Sequence, residues 1–304
     1  MRVFVTGASG FIGSAVVPEL IGAGHQVVGL ARSDASADAL AAAGAEVHRG
    51  SLEDLDSLRA GAAAADGVIH LAFIHDFTQY ENAARTDMRA IETLGAALEG
   101  SGKPLVVTSG TIAIAGGGVA TELDTPDPDS ITSLRAPSAQ ATIALAERGV
   151  RSSVLRLPPS VHGEGDRAFV PALIGIARDK GVSGYIGEGT NRWCSVHRLD
   201  AARLYRLALE KAPAGSILHG MAEEGIPVRT LAEAIGRQLG LPAVSVSAED
   251  AVDHFGWLGT LLSADVPTSS ARTRELMGWQ PAQQGLIADV EEGHYFRTEE
   301  PAQR

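Results

Sequence analysis

Thr6-Gly7-Ala8-Ser9-Gly10-Phe11-Ile12-Gly13 follows the apolar run Arg2 to Thr6 and opens onto an Ala- and Val-rich stretch with no further glycine until Gly22. A strand, a glycine-spaced turn and a helix in that order form a place where backbone can close on an anion. Gly7 permits the tight turn, Gly10 lets backbone N–H groups approach a pyrophosphate, and Gly13 lets the helix pack against the sheet with its N-terminus facing the charge. Three glycines alone say little, but a strand before them and a helix after them give the pattern its meaning. Ser9, Phe11 and Ile12 complete the expected dinucleotide-binding loop.

Outward from this loop, short β-branched runs alternate with Ala-rich stretches. Strands are expected at residues 2–6, 26–31, 46–49, 67–72, 105–109 and 152–157, and helices around 12–23, 36–43, 55–64, 87–100 and 138–148. Repeated βα units imply an α/β fold, a Rossmann-type doubly wound parallel sheet with right-handed crossovers. Beyond Leu157 the alternation loosens at Pro158-Pro159 and in the glycine-dense stretch from Gly181 to Gly189. The expected division is a dinucleotide-binding domain at 1–157 and a smaller C-terminal substrate lobe at 158–304. Within the latter, about 196–220 reads as a helix and a short strand returning to the first lobe.

Composition narrows the function. The 304 residues carry 25 Lys and Arg against 37 Asp and Glu, a net charge of −12, with no basic cluster of the kind that binds nucleic acid or an anionic membrane. The single cysteine, Cys194, excludes an internal disulfide, a Cys zinc centre and a C-x-x-C redox pair. His197 and Asp200 lack a third ligand at suitable spacing, so no metal is expected. With no signal core and no run of 18 apolar residues, the expectation is a cytoplasmic protein acting on a small molecule.

The second strand ends in Leu30-Ala31-Arg32-Ser33. An NAD site places a carboxylate near Ala31 to accept from the ribose hydroxyls; a small residue followed by a guanidinium suits a 2′-phosphate, so NADP(H) is expected over NAD(H). The competing reading makes Arg32 a solvent-facing charge beside Asp34. Ser51, Leu52 and Asp54 are placed beside the adenine, and Ala72 and Phe73, after the fourth strand, as wall residues. His70 reads as a hydrogen-bonded histidine at a strand end.

These residues resemble the extended short-chain dehydrogenase/reductases, the NAD-dependent epimerase/dehydratase family. Besides TGASGFIG, the likeness is carried by His70-Leu71-Ala72, Val106 to Thr111, the segment Leu155 to Gly163, similar to the family's LRxxxVYG, and Val196 to Ala202, similar to VHVxDxA. The resemblance implies a Rossmann lobe of about seven strands, a substrate lobe closing over the nicotinamide, and room for a homodimer that no residue here specifies. It also implies a Tyr-x-x-x-Lys pair with a Ser or Thr that orients the substrate oxygen.

Here the chain departs from the family. Four residues after Tyr80, Tyr185, Tyr205 and Tyr295 stand Ala84, Gly189, Leu209 and Glu299, so the pair is missing. Its place falls near Ile131 to Ala136, where Arg135 alone could supply a positive charge. Ser109 and Thr111 remain as hydroxyls for a substrate oxygen. Asp87 replaces a common asparagine. Tyr80, expected in a loop overhanging the nicotinamide, and Tyr185 are the leading substitutes for the phenol, with His162 and Asn191-Arg192-Trp193 on segments that face substrate in the family. Trp279 reads as a structural residue. The expected protein is an atypical member: an NADP(H)-dependent oxidoreductase acting on the carbonyl or hydroxyl of a small organic molecule. The alternative is a cofactor-binding sensor or partner-binding protein without turnover; an epimerase or dehydratase ranks lower because it leans hardest on the tyrosine.

Overall fold

The computed structural model describes residues 1–75, 79–114, 118–126 and 131–297. The first lobe runs β1 (Arg2–Thr6), α1 (Gly13–Gly22), β2 (Gln26–Ala31), α2 (Asp34–Ala42), β3 (Glu46–Arg49), α3 (Leu55–Ala63), β4 (Gly67–His70), α4 (Tyr80–Leu98), β5 (Pro104–Gly110), α5 (Ala136–Ala144) and β6 (Arg151–Leu157). Along β1 the side chains alternate between two cores: Val3 and Val5 join one buried cluster and Phe4 the other. A strand covered on both faces has no polar side to show, which is why Val3, Phe4 and Val5 are apolar in succession.

The second lobe continues with β7 (Ser160–His162), α6 (Phe169–Lys180), β8 (Ser183–Ile186), β9 (Arg192–His197), α7 (Arg198–Lys211), β10 (Ser216–His219), β11 (Glu223–Pro227), α8 (Val228–Leu239), β12 (Ala243–Val246), α9 (Ala251–Phe255), α10 (Leu258–Leu262), α11 (Ala271–Met277) and α12 (Leu286–Glu291). Two of these elements return to the first lobe. Strand β10 pairs in parallel with β6, and α7 packs its Ala201, Ala202, Leu204 and Tyr205 into the core that α1 shares.

The result is a seven-stranded sheet in the order β10-β6-β5-β4-β1-β2-β3, with every pairing parallel. The order reverses at β1, which pairs β2 on one side and β4 on the other. At such a switch point the loops leave in opposite directions, and a crevice opens beyond the strand ends. The second lobe has its own core around Trp193, Ile235 and Phe255, with a three-stranded sheet β11-β9-β7 and the pair β12-β8.

Two of the boundaries that shift bear on the site. Strand β4 stops at His70: Leu71 N still donates to Thr6 O at 3.2 Å, as the ladder with β1 requires, and the next residue, Ala72, already lies against Gly7 of the glycine loop. Helix α4 begins at Tyr80, seven residues before the expected start. Ala83 and Ala84 are buried there and Glu81 sits opposite Arg85 one turn on, so the added turns carry both an apolar and a charged face. Tyr80 is therefore the first residue of a helix, not part of a loop. No described helix is long and apolar enough to cross a membrane.

Candidate active site

At the sheet's switch point the glycine loop and the end of β4 touch. Gly7 has φ +67°, and a Cβ on it would stand 2.7 Å from Ala72 N; a Cβ on Gly13 would stand 2.1 Å from Gly7 O. Neither position admits a larger residue without moving the turn. Gly10 differs: it is exposed, its N–H donates to Gly7 O at 3.0 Å, and a Cβ would meet only that carbonyl, at 3.2 Å. Gly7 and Gly13 build the turn, whereas Gly10 and Ser9 form its open rim. A bare backbone rim at the N-terminus of α1 is a cradle that fits the pyrophosphate of a dinucleotide.

At the far end of β2, Ala31 is buried and Arg32 exposed. Asp34, the competing partner, is taken by Arg49 of β3, with Nη2 to Oδ1 at 2.6 Å. Among the described residues no ion pair engages Arg32. Ser33 caps α2 in a reciprocal pair with Ser36. Ser51 and Leu52 are half-buried after β3, while Asp54 is occupied as the cap of α3, accepting from Ser57 N at 3.0 Å.

The β4 and β5 ends carry a polar network. His70 is buried, its Nδ1 2.8 Å from Thr6 Oγ1 and its Nε2 3.2 Å from Asp87 Oδ1. Thr6 Oγ1 also accepts from Ala72 N at 3.3 Å. Asp87 Oδ1 lies 3.6 Å from Nη2 of Arg135, which donates to Thr108 O at 2.8 Å. The guanidinium carbon of Arg135 sits 4.1 Å from the centre of the Phe73 ring, an attractive stack. Tyr80 meets the same ring edge-on, centroids 5.7 Å apart. Burial would lift the Asp87 carboxyl, but the His70 hydrogen bond and the Arg135 charge outweigh it and hold the group below its ordinary value. Burial raises the Tyr80 phenol; the Arg135 charge opposes this and Asp87 adds to it. Tyr80 is thus a phenol that keeps its proton at neutral pH.

The two candidate hydroxyls part company. Ser109, next to the Thr108 carbonyl that Arg135 grips, is half-buried, and its hydroxyl has no hydrogen-bond partner among the described residues. Thr111 is buried: its N–H donates to Leu157 O at 3.1 Å, and its Oγ1 lies 3.4 Å from the same carbonyl and 3.6 Å from Cys194 Sγ. The two tyrosines part as well. Tyr185 belongs to the second lobe's core on β8, under the Arg229 guanidinium at 5.3 Å, and is not brought to the Ser109 end of the sheet.

Of the remaining candidates, His162 is turned away toward Asp289, its Nδ1 2.9 Å from Oδ2. Arg192 is paired with Asp265, and Asn191 donates to Leu262 O and Ala264 O. Asp200 accepts from the backbone of Ala282 and Gln283, both at 2.9 Å, and Trp279 is buried with Nε1 on Asp200 O. Sequence reasoning missed the meeting of Arg135 with Asp87 and Phe73, and the stacking of Arg198 on Phe11 of the glycine loop at 5.3 Å. Only the charge of Arg135 had been legible.

The sequence model of the NAD dependent epimerase/dehydratase family matches residues 3–219. The chain is 51% identical over 298 residues to an uncharacterized protein of Schizosaccharomyces pombe, covering 97% of this chain and 100% of that one. It is 27% identical over 264 residues to 2-alkyl-3-oxoalkanoate reductase of Stenotrophomonas maltophilia, covering 80% of this chain and 77% of that one. In fold it is similar to the dTDP-glucose 4,6-dehydratase of Streptomyces venezuelae crystallised with NAD. The TM-score is 0.79 at 21% identity, over 97% of this chain and 96% of that one.

Proposed function

The chain belongs to the NAD dependent epimerase/dehydratase family, and from that premise we propose that it is an NADP(H)-dependent oxidoreductase acting on the carbonyl or hydroxyl of a small organic molecule. The observation that carries the cofactor preference is Arg32, exposed and without an ion pair among the described residues at the end of β2, beside Ala31 where a carboxylate would repel a 2′-phosphate. The solved relative holds NAD, so the preference rests on these two residues. NADP(H) supplies or accepts the hydride. The chain's own part is to hold the pyrophosphate on the backbone of Ser9 to Gly13, wall the nicotinamide with Ala72 and Phe73, and meet the substrate oxygen with Ser109.

The proton remains to be placed. With no Tyr-x-x-x-Lys pair, two phenols stand at this network: Tyr205, whose OH lies 2.8 Å from Thr108 Oγ1 but is fully buried, and the half-buried Tyr80, which is the one a substrate could meet. A phenol kept protonated is suited to donate toward a developing alkoxide. That favours reduction of a carbonyl, in keeping with the oxoalkanoate reductase among the relatives. The absent pair also favours a second reading, a cofactor-binding sensor without turnover.

Titration of NADPH and NADH against the parent and Arg32→Ala separates these points. NADPH should bind about tenfold to a hundredfold tighter through Arg32, the worth of a charge-assisted contact of about 1.5 to 3 kcal/mol. Equal affinities would make Arg32 a mere surface charge. NADPH oxidation over a panel of aldehydes and ketones decides between enzyme and sensor.

A further inference from the structure

A guanidinium carries five N–H donors. Among the described residues a single donor of Arg135 reaches an acceptor, Nη2 on Thr108 O at 2.8 Å, with Asp87 beyond hydrogen-bond range at 3.6 Å. Its Nε is shut off from solvent and has no acceptor. Buried donors are satisfied in the great majority of folded proteins, so one left open beside a candidate active site calls for a ligand. The side chain is not wholly enclosed, at 16% exposure. Phe73 covers one face of the guanidinium plane and fixes its tilt. Ser109 stands one residue beyond the carbonyl that Arg135 holds.

We propose that Arg135 anchors a carboxylate on the substrate, so that the compound reduced is an oxo acid whose carbonyl lies at Ser109 and whose acid group lies on the guanidinium. A planar fork of donors can take the two oxygens of a carboxylate side by side. Asp87 stays 3.6 Å from Nη2, through the same Oδ1 that His70 meets. Its charge keeps the guanidinium in place, and a ligand would meet the part of the side chain that stays exposed, Nε itself being enclosed.

This inference rests on the reductase reading, and the experiment keeps the two apart. With NADPH present, kcat/KM is measured for 3-oxohexanoate and for its methyl ester, in the parent, Arg135→Met and Arg135→Lys. The parent should prefer the acid by about tenfold to a hundredfold, the worth of one charge-assisted contact. In Arg135→Met the acid-to-ester ratio should fall to about one, and Arg135→Lys, which keeps the charge but not the fork, should lie between. A purely structural arginine would lower both rates alike and leave the ratio standing; that result, or no preference in the parent, overturns the proposal. Should the parent reduce neither compound, the same ratio is read by calorimetry as binding of acid and ester to the NADPH complex. A preference lost in Arg135→Met then sustains the anchor while the reductase reading fails; equal binding overturns the anchor. Arg135→Lys serves alone if Arg135→Met does not fold.

Discussion

His70 Nε2 lies 3.2 Å from Asp87 Oδ1, and both side chains are 1% exposed. The pair ties the end of β4 to α4, and through Arg135 it ties both to the start of α5. Removing one member of a buried pair leaves the other uncompensated, so Asp87→Ala should lose about 3 to 5 kcal/mol at neutral pH. The sign of the pH effect follows from the lowered carboxyl. Its contribution is whole above the ordinary aspartate value of 3.8 and fades as pH falls below it through the folded value. Urea unfolding at pH 7 and near pH 3 measures the gap between parent and variant. A gap that does not narrow in acid would show that the carboxylate's charge is not what stabilises the fold.

Gly10 and Gly13 should respond differently to a side chain. Gly13→Ala sets a methyl 2.1 Å from Gly7 O, so the turn must move and both stability and NADPH affinity should fall. Gly10→Val adds its bulk on the open rim, and its stability should stay within about 0.5 kcal/mol of the parent, as for other surface changes. Its dinucleotide binding should nonetheless vanish. Circular dichroism melts with calorimetric NADPH titration separate the two, and binding retained by a folded Gly10→Val would remove the loop from the site.

Asp166 offers a pH dependence of the opposite sign. Burial raises its carboxyl to about 6, against partial relief from the Ala168 N–H and the Tyr295 hydroxyl. Between the ordinary value of 3.8 and about 6 the folded state holds a proton that the unfolded chain has released, so stability should decline as pH rises through that window. At about 1.4 kcal/mol per unit the decline is at most on the order of 3 kcal/mol. Asp166→Asn keeps an acceptor for Ala168 N–H and should flatten the slope. Equal slopes in parent and variant between pH 4 and 6 would remove Asp166 as the cause.

What the sequence disclosed follows from the range of the interactions. The glycine turn, the six strands of the first lobe and the returning strand β10 are written in local patterns, apolar runs bounded by breakers, and were legible. The start of α4 was not, because Gln79 offers no side-chain cap and the first turns carry Glu81 and Arg85 in place of a clean apolar stripe. Ser109 and Thr111 look equivalent in sequence; only the approach of Leu157 and Cys194 from distant strands turns the second hydroxyl inward. Tyr80 and Tyr185 likewise differ by what packs on them. The meeting of Arg135 with Asp87 and Phe73 joins three separate segments, and no local pattern encodes it.

The hydroxyls and phenols allow a test that separates site from scaffold. A developing alkoxide without a donor forfeits about 2.7 to 4 kcal/mol, a factor of on the order of a hundred to a thousand in turnover. Ser109→Ala should therefore lower kcat for a reduced carbonyl by that factor, because its hydroxyl has no partner among the described residues and is placed to serve the substrate oxygen. Thr111→Val removes a hydroxyl engaged in the core, so it should lower the melting temperature and leave kcat near the parent's. Tyr80→Phe should lower kcat with KM unchanged if the phenol is the proton source, whereas Tyr185→Phe, set in the other core, should not change kcat. The measurement is NADPH oxidation in all four variants beside their thermal melts. If Ser109→Ala and Tyr80→Phe both match the parent in turnover, the donor lies elsewhere and this end of the sheet is not where the carbonyl binds.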